Sequence, residues 1–229
     1  MSATGLPAGC DEIRAAQQQF LNGRTQNENC SHWDRACGRR ARAGHEVIFG
    51  TRDLDAPELK SLLQSAPKAI ADSVPSSAKR AEATALAVPW SAISEVLAEM
   101  GEQVRGKILI DCTNPATAWP ALDHSAGSGA EQIARFVPDA RTVKAFNTTG
   151  FENMQNPRYG EGAVTMFYAG DDLGAKKVVH GLAKDLGFDP VDAGGLTQAH
   201  ALEILASLWG TLAYGQKMGR GIAFRLMRR

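Results

Sequence analysis

An α/β fold with a doubly wound parallel sheet is what this sequence predicts. Three observations point to it. Short apolar runs alternate with amphipathic stretches from Gly44 to Gly150. Proline, glycine or asparagine punctuates the junctions between them. The polar residues able to do chemistry fall just past the apolar runs, where an open parallel sheet receives its ligands.

In chain order, "HEVIFG" reads as a short apolar strand. "PELKSLLQSA" opens with Pro57, which suits the first turn of a helix because an N–H there has no helical partner to lose. "EATALAVP" reads as a buried strand. "SAISEVLAEMGEQV" places Ile93, Val96, Leu97, Met100 and Val104 on one helical face. "GKILIDCTNP" is the next strand, "GSGAEQIARFVP" a helix ended by Pro138, and "RTVKAFNT" another strand. The alternation predicts a doubly wound parallel sheet of Rossmann type, incomplete at its start, over residues 44–150.

After Gly150 the pattern changes. "AVTMFYAGDD" is a strand, and "DLGAKKVVHGLAKDLG" a helix with Ala175, Val178, Val179, Leu182 and Leu186 inward. "DPVDAG" is a short strand, and residues 196–218 read as one long helix with Leu202, Leu205, Leu208 and Leu212 at helical spacing. Residues 151–229 therefore form a small C-terminal subdomain, α/β passing to helical. Its long helix serves either as core or as the surface of a homodimer. Residues 1–43 show no strand or helix period beyond a candidate helix at 11–20, and read as an aberrant or disordered segment.

Composition excludes some partners. Lys plus Arg equals Asp plus Glu, 25 each, which gives no electrostatic case for nucleic acid or an anionic membrane. No apolar run is long enough to span a bilayer, and no secretion signal opens the chain. Cys10, Cys30, Cys37 and Cys112 form neither a disulfide framework nor zinc spacing, which points to a reducing cytoplasm.

The strand ends carry the candidate chemistry: Thr51-Arg52-Asp53, Pro89-Trp90, Thr113-Asn114-Pro115 and Asn147-Thr148. NAD-binding sheets place a carboxylate at the end of the second strand for the ribose hydroxyls. A 2′-phosphate suits instead a hydroxyl donor and a guanidinium fork. Thr51 and Arg52 offer both, so NADP(H) is favoured; Asp53 dissents, because an inward carboxylate would repel phosphate. Trp90 either covers the dinucleotide or packs as a core or interface aromatic. Asn114 either bonds near the nicotinamide ribose or serves the turn before Pro115. Asn147 either orients the nicotinamide or its hydride acceptor, or is a turn residue.

His45 falls at the opposite strand end, and His180 on a polar helix face. His200 lies near the subdomain junction, and His124 in a loop without an assigned role. No nucleophile–base arrangement or metal cluster emerges from these positions, so no catalytic side chain and no metal ligand is assigned. Hydride passage between two cofactors needs neither; it needs positioning and exclusion of water.

From Ala43 onward the chain resembles the NADPH-dependent deazaflavin (coenzyme F420) reductases and the wider group of dinucleotide-binding oxidoreductases. The resemblance rests on "AGHEVIFGTRD", "ALAVPWSA", "GKILIDCTNP", "VKAFNTTGFENM", "FYAGDD" with "AKKVV", and "LGFDPVDAGGL" with "LEILASLW", in the expected order. It implies NADP(H) held by Thr51, Arg52, the Val88-Pro89-Trp90 turn and the Ala145–Asn147 stretch. It also implies a flat redox partner, deazaflavin or flavin, in the cleft between the subdomains. Three rival readings stand beside it: a small-acid or imine dehydrogenase, for which Lys144 is the nearest base by sequence, a dinucleotide sensor without turnover, and an inactive remnant.

One departure is large. Such proteins open with an apolar strand running into G-x-G-x-x-G, whose glycines admit the pyrophosphate to backbone N–H groups. Nothing similar precedes "HEVIFG". Back-translating Asn27 to Gly38 and reading one base later permits Met-Lys-Ile-(Ala/Val)-(Ala/Val)-Ile-Gly-(Thr/Ile)-Gly-x-(Val/Ala)-Gly. Trp33 followed by Asp34 forces the first of those glycines. The expectation is therefore a frameshifted N-terminus, with the true frame resuming near "ARAGHEV"; the alternative is a diverged or added segment.

Two measurements check this. Nucleotide sequence across codons 20 to 50 should show the glycine fingerprint in the next frame. Fluorescence titration of the chain as written should give weak NADPH binding and marginal stability; a sub-micromolar Kd defeats that expectation.

Overall fold

A computed structural model describes residues 45–229. The expectations for residues 1–43, including the missing fingerprint and the helix at 11–20, lie outside the described residues. The described residues open with β1 (Ile48–Thr51), α1 (Pro57–Ser65), β2 (Ile70–Ser73), α2 (Val74–Arg80) and β3 (Ala83–Leu86). Pro57 starts α1 as its sequence dictates. β2 and α2 fall in a stretch for which no element is expected, because "IADSVPSSAKR" is short and lacks apolar period. Ser73 caps α2 by accepting from the Ser76 N–H.

α3 (Ile93–Met100) follows a 3₁₀ turn at Trp90–Ala92 and ends where Gly101 takes φ +51°. The five residues expected on its apolar face are all buried, Val104 from a further 3₁₀ turn. Next come β4 (Ile108–Asp111), the hairpin of β5 (Ala116–Ala118) and β6 (Ala121–Leu122), and α4 (Gly129–Phe136). A capping box of Ser128 and Glu131 opens α4. Then follow β7 (Arg141–Ala145), α5 (Glu152–Gln155), a small hairpin of β8 (Arg158–Tyr159) and β9 (Gly162–Ala163), and β10 (Thr165–Gly170). α6 (Leu173–Asp185), β11 (Asp189–Asp192) and α7 (Ala199–Gly210) complete the order.

The described strands form two parallel-dominated sheets. β1 pairs with β2 in parallel. The larger sheet has the order β11-β10-β7-β4-β3. Within it β3, β4 and β7 are parallel, β10 runs antiparallel to β7, and β11 is parallel to β10. The strands after Gly150 thus extend the sheet itself. Among the described residues β1 and β3 do not pair. A doubly wound order would seat a first strand between them, and the residues that would supply it precede His45.

Side chains alternate across the larger sheet. Ile108, Ile110, Val143 and Ala145 pack on one face with Val179, Ala183 and Leu186 of α6. Leu109 faces the other way, against Val96, Leu97 and Met100 of α3 and Ile133 of α4. Register sets Leu86, Asp111, Lys144 and Ala169 side by side in one row at the carboxyl ends of the parallel strands. Asp111 and Lys144 lie on the face of Leu109, so that face turns from apolar to ionic at its upper rim.

Two helix expectations need correction. Of the residues expected inward from α6 and its C-cap, Ala175, Val179 and Leu186 are buried and Leu182 packs partly buried against the same core, while Val178 is exposed and Ala183 is buried in its place. The predicted helix over 196–218 is a run of three hydrogen-bond registers: a 3₁₀ turn at Leu196–Gln198, α7, and a π turn at Thr211–Gly215. It stops at Gly215, and Lys217 takes φ +55° beyond it. Its buried face is Ala199, Leu202, Glu203, Ala206, Trp209 and Ala213; Leu208 and Ile204 point to solvent. Of the four spaced leucines, Leu202 is buried and Leu208 exposed, because the buried face also carries Glu203, which has buried partners on the sheet.

The last residues return to the sheet. Phe224 O accepts from the Thr165 N–H at 3.1 Å, and the Leu226 N–H donates to Thr165 Oγ1 at 2.9 Å. Ile222 O accepts from Trp209 Nε1 at 2.8 Å and Asn153 Nδ2 at 3.1 Å.

Leu109→Ala should cost about 2–5 kcal/mol, because it empties a fully buried site. Leu208→Ala should stay within about 0.5 kcal/mol of the parent. Urea unfolding of the two variants checks both, and equal losses would contradict the face assigned to α7.

Candidate active site

The carboxyl ends of β4 and β7 carry a buried ionic cluster. Lys144 is fully buried, and its Nζ donates to Asp111 Oδ2 at 2.8 Å, Glu203 Oε1 at 2.7 Å and Thr113 O at 2.6 Å. Asp111 and Glu203 are equally buried. Burial works against the charged ammonium, but the two carboxylates outweigh it and hold Lys144 above the ordinary lysine range. All three ammonium protons are committed and no solvent reaches them. Lys144 therefore has neither a lone pair nor a free proton with which to serve as base or imine-forming amine.

The carboxylates are satisfied in turn. Asp111 Oδ1 accepts from Thr113 N at 2.9 Å and Thr113 Oγ1 at 2.7 Å. Glu203 Oε1 also accepts from the Gly129 N–H at 2.9 Å, at the amino end of α4, and Glu203 Oε2 lies 2.9 Å from His124 Nε2. The His124 ring lies 4.2 Å from that of His200. Sequence reasoning left these histidines apart and missed Asp111 and Glu203. The available signal was a carboxylate inside the apolar run "KILID" and another on the apolar face of α7, since such residues are almost never buried unpaired. Gly129 packs closely here: a Cβ would sit 3.0 Å from the Trp90 ring and 3.1 Å from Glu203 Oε1.

Beside the cluster, Asn114 and Asn147 meet. Asn147 Nδ2 donates to Asn114 Oδ1 at 3.0 Å and Leu202 O at 3.2 Å; Asn114 Nδ2 donates to Asn147 O at 3.5 Å. Asn147 Oδ1 is buried and has no partner among the described residues. The turn that delivers Asn147 passes through Phe146 at φ +64°. A bulky residue in that region costs on the order of 1–3 kcal/mol, and such strain gathers at functional sites.

The remaining candidates are placed as follows. Thr51 and Arg52 end β1. Thr51 Oγ1 bonds both the N–H and the carbonyl of Asp53, each at 3.1 Å. Asp53 Oδ1 accepts from the Asp55 N–H at 2.9 Å, so its carboxylate is turned into its own loop. Arg52 reaches Glu99 at 2.8 Å and Glu95 at 3.1 Å, both on α3, and the Glu99 hydrogen bond leads in holding its guanidinium above the usual value. Arg52 is 41% exposed, so these are exchangeable surface pairs rather than fixed ones. Val88 and Trp90 are half-buried against the α3–α4 cluster, and Pro89 O accepts from Ala92 N–H. Ala145 packs its side chain wholly in the core, so only its backbone can meet a ligand.

His45 pairs with Asp185 at 2.9 Å, and exposed His180 lies 3.1 Å from Tyr168 Oη. No group of three or more His, Cys, Asp or Glu among the described residues is arranged to hold a metal.

Glu203→Ala should cost about 3–5 kcal/mol in chemical unfolding, because it removes one of the two carboxylates from the buried ammonium and leaves the buried Gly129 N–H without its acceptor. The ammonium's raised value also sets a pH dependence. Its contribution is fully present below the unfolded lysine value of 10.5 and lost as pH rises through the folded value. Thermal unfolding should therefore fall above pH 10.5, and fall less in a D111N/K144M/E203Q variant.

Comparison with known proteins places this arrangement. Residues 37–115 match the family described as "NADP oxidoreductase coenzyme F420-dependent". The F420-dependent NADP reductase of Methanothermobacter marburgensis is 31% identical over 185 residues, covering 74% of this chain and 82% of that protein. The rat metalloreductase STEAP3 is 38% identical over 110 residues, 48% of this chain; the chain spans 22% of that longer protein. A crystal structure of an F420-dependent NADP-reductase candidate from Arthrobacter sp. FB24 superposes with a TM-score of 0.77 at 30% identity, covering 86% of this chain and 96% of that one. The chain belongs to the family of F420-dependent NADP reductases, and with it to the oxidoreductases.

Proposed function

We propose that the protein transfers hydride between NADPH and a deazaflavin or flavin, with coenzyme F420 the favoured acceptor. The observation that carries this is the Asn114–Asn147 pair. It sits at the carboxyl ends of β4 and β7 and offers one buried, unpartnered oxygen. The carboxamide of nicotinamide is an N–H donor of the right kind. When bound, NADPH supplies a hydride; a deazaflavin takes that hydride with one proton from water, leaving NADP⁺ and the two-electron-reduced acceptor.

The protein's part is positional. Asn147 orients the nicotinamide end, and the Val88-Pro89-Trp90 turn and the backbone at Ala145 wall the crevice. Thr51 and Arg52 take the 2′-phosphate. Arg52 meets it by leaving Glu95 and Glu99, an exchange of one exposed ion pair for a charge-assisted fork. Asp53 does not oppose this, since its carboxylate caps the Asp55 N–H. The enclosed state of Lys144 weighs against the small-acid and imine dehydrogenase reading.

The exposed Ile204 and Leu208 of α7 mark the face we assign to a homodimer. Among the described residues no helix is long and apolar enough to cross a membrane. We assign the activity to the cytoplasm on cysteine usage.

Anaerobic mixing with NADPH and coenzyme F420, or with a flavin, tests the reading by loss of NADPH absorbance. Tight NADPH binding without oxidation by either acceptor would favour a sensor. Arg52→Ala should raise the KM for NADPH roughly 10- to 100-fold while leaving that for NADH unchanged.

A further inference from the structure

The buried ammonium of Lys144 has no place in the hydride transfer proposed above, yet it touches both sides of the crevice. Its bond to Thr113 O fixes the residue next to Asn114. Its bond to Glu203 fixes the residue next to Leu202. Asn114 Oδ1 and Leu202 O are the two acceptors that take the Nδ2 protons of Asn147. With both protons spent, the Asn147 carboxamide is held one way round, and its Oδ1 is the atom left to face a ligand.

We propose that Lys144 is a positioning residue: it fixes the Thr113 carbonyl and the Glu203 carboxylate, and so locks Asn147 with its unpartnered Oδ1 as the acceptor left for the nicotinamide carboxamide. This rests on the hydride-transfer reading. The two acceptors come from segments far apart in sequence, the end of β4 and the middle of α7. Without a common anchor each would follow its own element, and the Asn147 amide would turn. A carboxamide free to turn presents N–H to N–H, and the nicotinamide loses its preferred face. Positioning errors near 1 Å are enough to slow a reaction on the order of 100-fold.

The discriminating variant is D111N/K144M/E203Q. It removes the ammonium and both charges together, so no unpaired charge is buried and the fold can be retained. Asn at position 111 and Gln at position 203 keep oxygens for Thr113 and Gly129. Three readouts are taken against the parent: side-chain amide exchange at Asn147 by NMR, kcat and KM with NADPH and coenzyme F420, and deuterium transfer from the two C4-labelled epimers of NADPH.

The expected result is a folded variant whose Asn147 amide protons exchange at least about 10-fold faster. Its kcat should fall roughly 10- to 100-fold, with a smaller change in KM, and deuterium should pass from both faces where the parent uses one. A folded variant with parental exchange, kcat and facial selectivity overturns the proposal, leaving Lys144 as fold cement alone. Should the variant fail to fold, the parent decides: freely exchanging Asn147 amide protons overturn the proposal, and protected ones support it. A parent that binds and oxidises no NADPH defeats the functional reading instead. The exchange comparison then decides by itself whether Lys144 positions Asn147.

Discussion

The structure depends on one ammonium group placed where water cannot reach it. An isolated charge in such a site is costly by several kcal/mol, so its partners are obligatory. Lys144 finds them on β4, on the turn after β4, and on α7. Glu203 in turn reaches the first N–H of α4 and the ring of His124. Segments that share no local sequence signal, namely β7, β4 with its turn, α7, the start of α4 and the loop of His124, are tied at one point.

The two ionic sites of the crevice differ in burial rather than in chemistry. Arg52 with Glu95 and Glu99 is partly exposed, and surface pairs of this kind contribute about 0–1 kcal/mol. The phosphate proposed above would displace them at little cost. The Lys144 pairs are dry, and breaking one leaves a charge with nowhere to go. A labile ion pair thus stands where the proposed reading puts the 2′-phosphate, and a fixed one joins β4, β7 and α7. The strained turn at Phe146 fits the second role, since only rigid surroundings keep a bulky residue at φ +64°.

Most of the sheet was legible in the sequence, because apolar runs bounded by proline, glycine and asparagine report local structure directly. The strand-end rule located Asn114 and Asn147 without knowledge of their contact. β2 and α2 escaped because their four- and seven-residue lengths carry too little period. α7 was seen, but the leucine spacing did not report its buried face: Leu202 is buried and Leu208 exposed, and Glu203 joins the buried set. The ionic cluster was invisible for a deeper reason. Its members are separated by 33 and 59 residues, so only the register of β4 against β7 and the docking of α7 bring them together. Arg52 was found by its position at a strand end, while its partners on α3 lie 43 and 47 residues on.

The return of the final residues to β10 changes what the C-terminus is. Ile222 O and Phe224 O serve the indole of Trp209, the amide of Asn153 and the main-chain N–H of Thr165, all three in nearly fully buried residues. Deleting that stretch would orphan three donors at once, so a shortened protein suffers an internal wound rather than a trimmed end. Trp209 also lies over Gly150, where a Cβ would come within 2.8 Å of its ring. The damage would pass from the chain's end to the loop that follows Asn147, through a single indole.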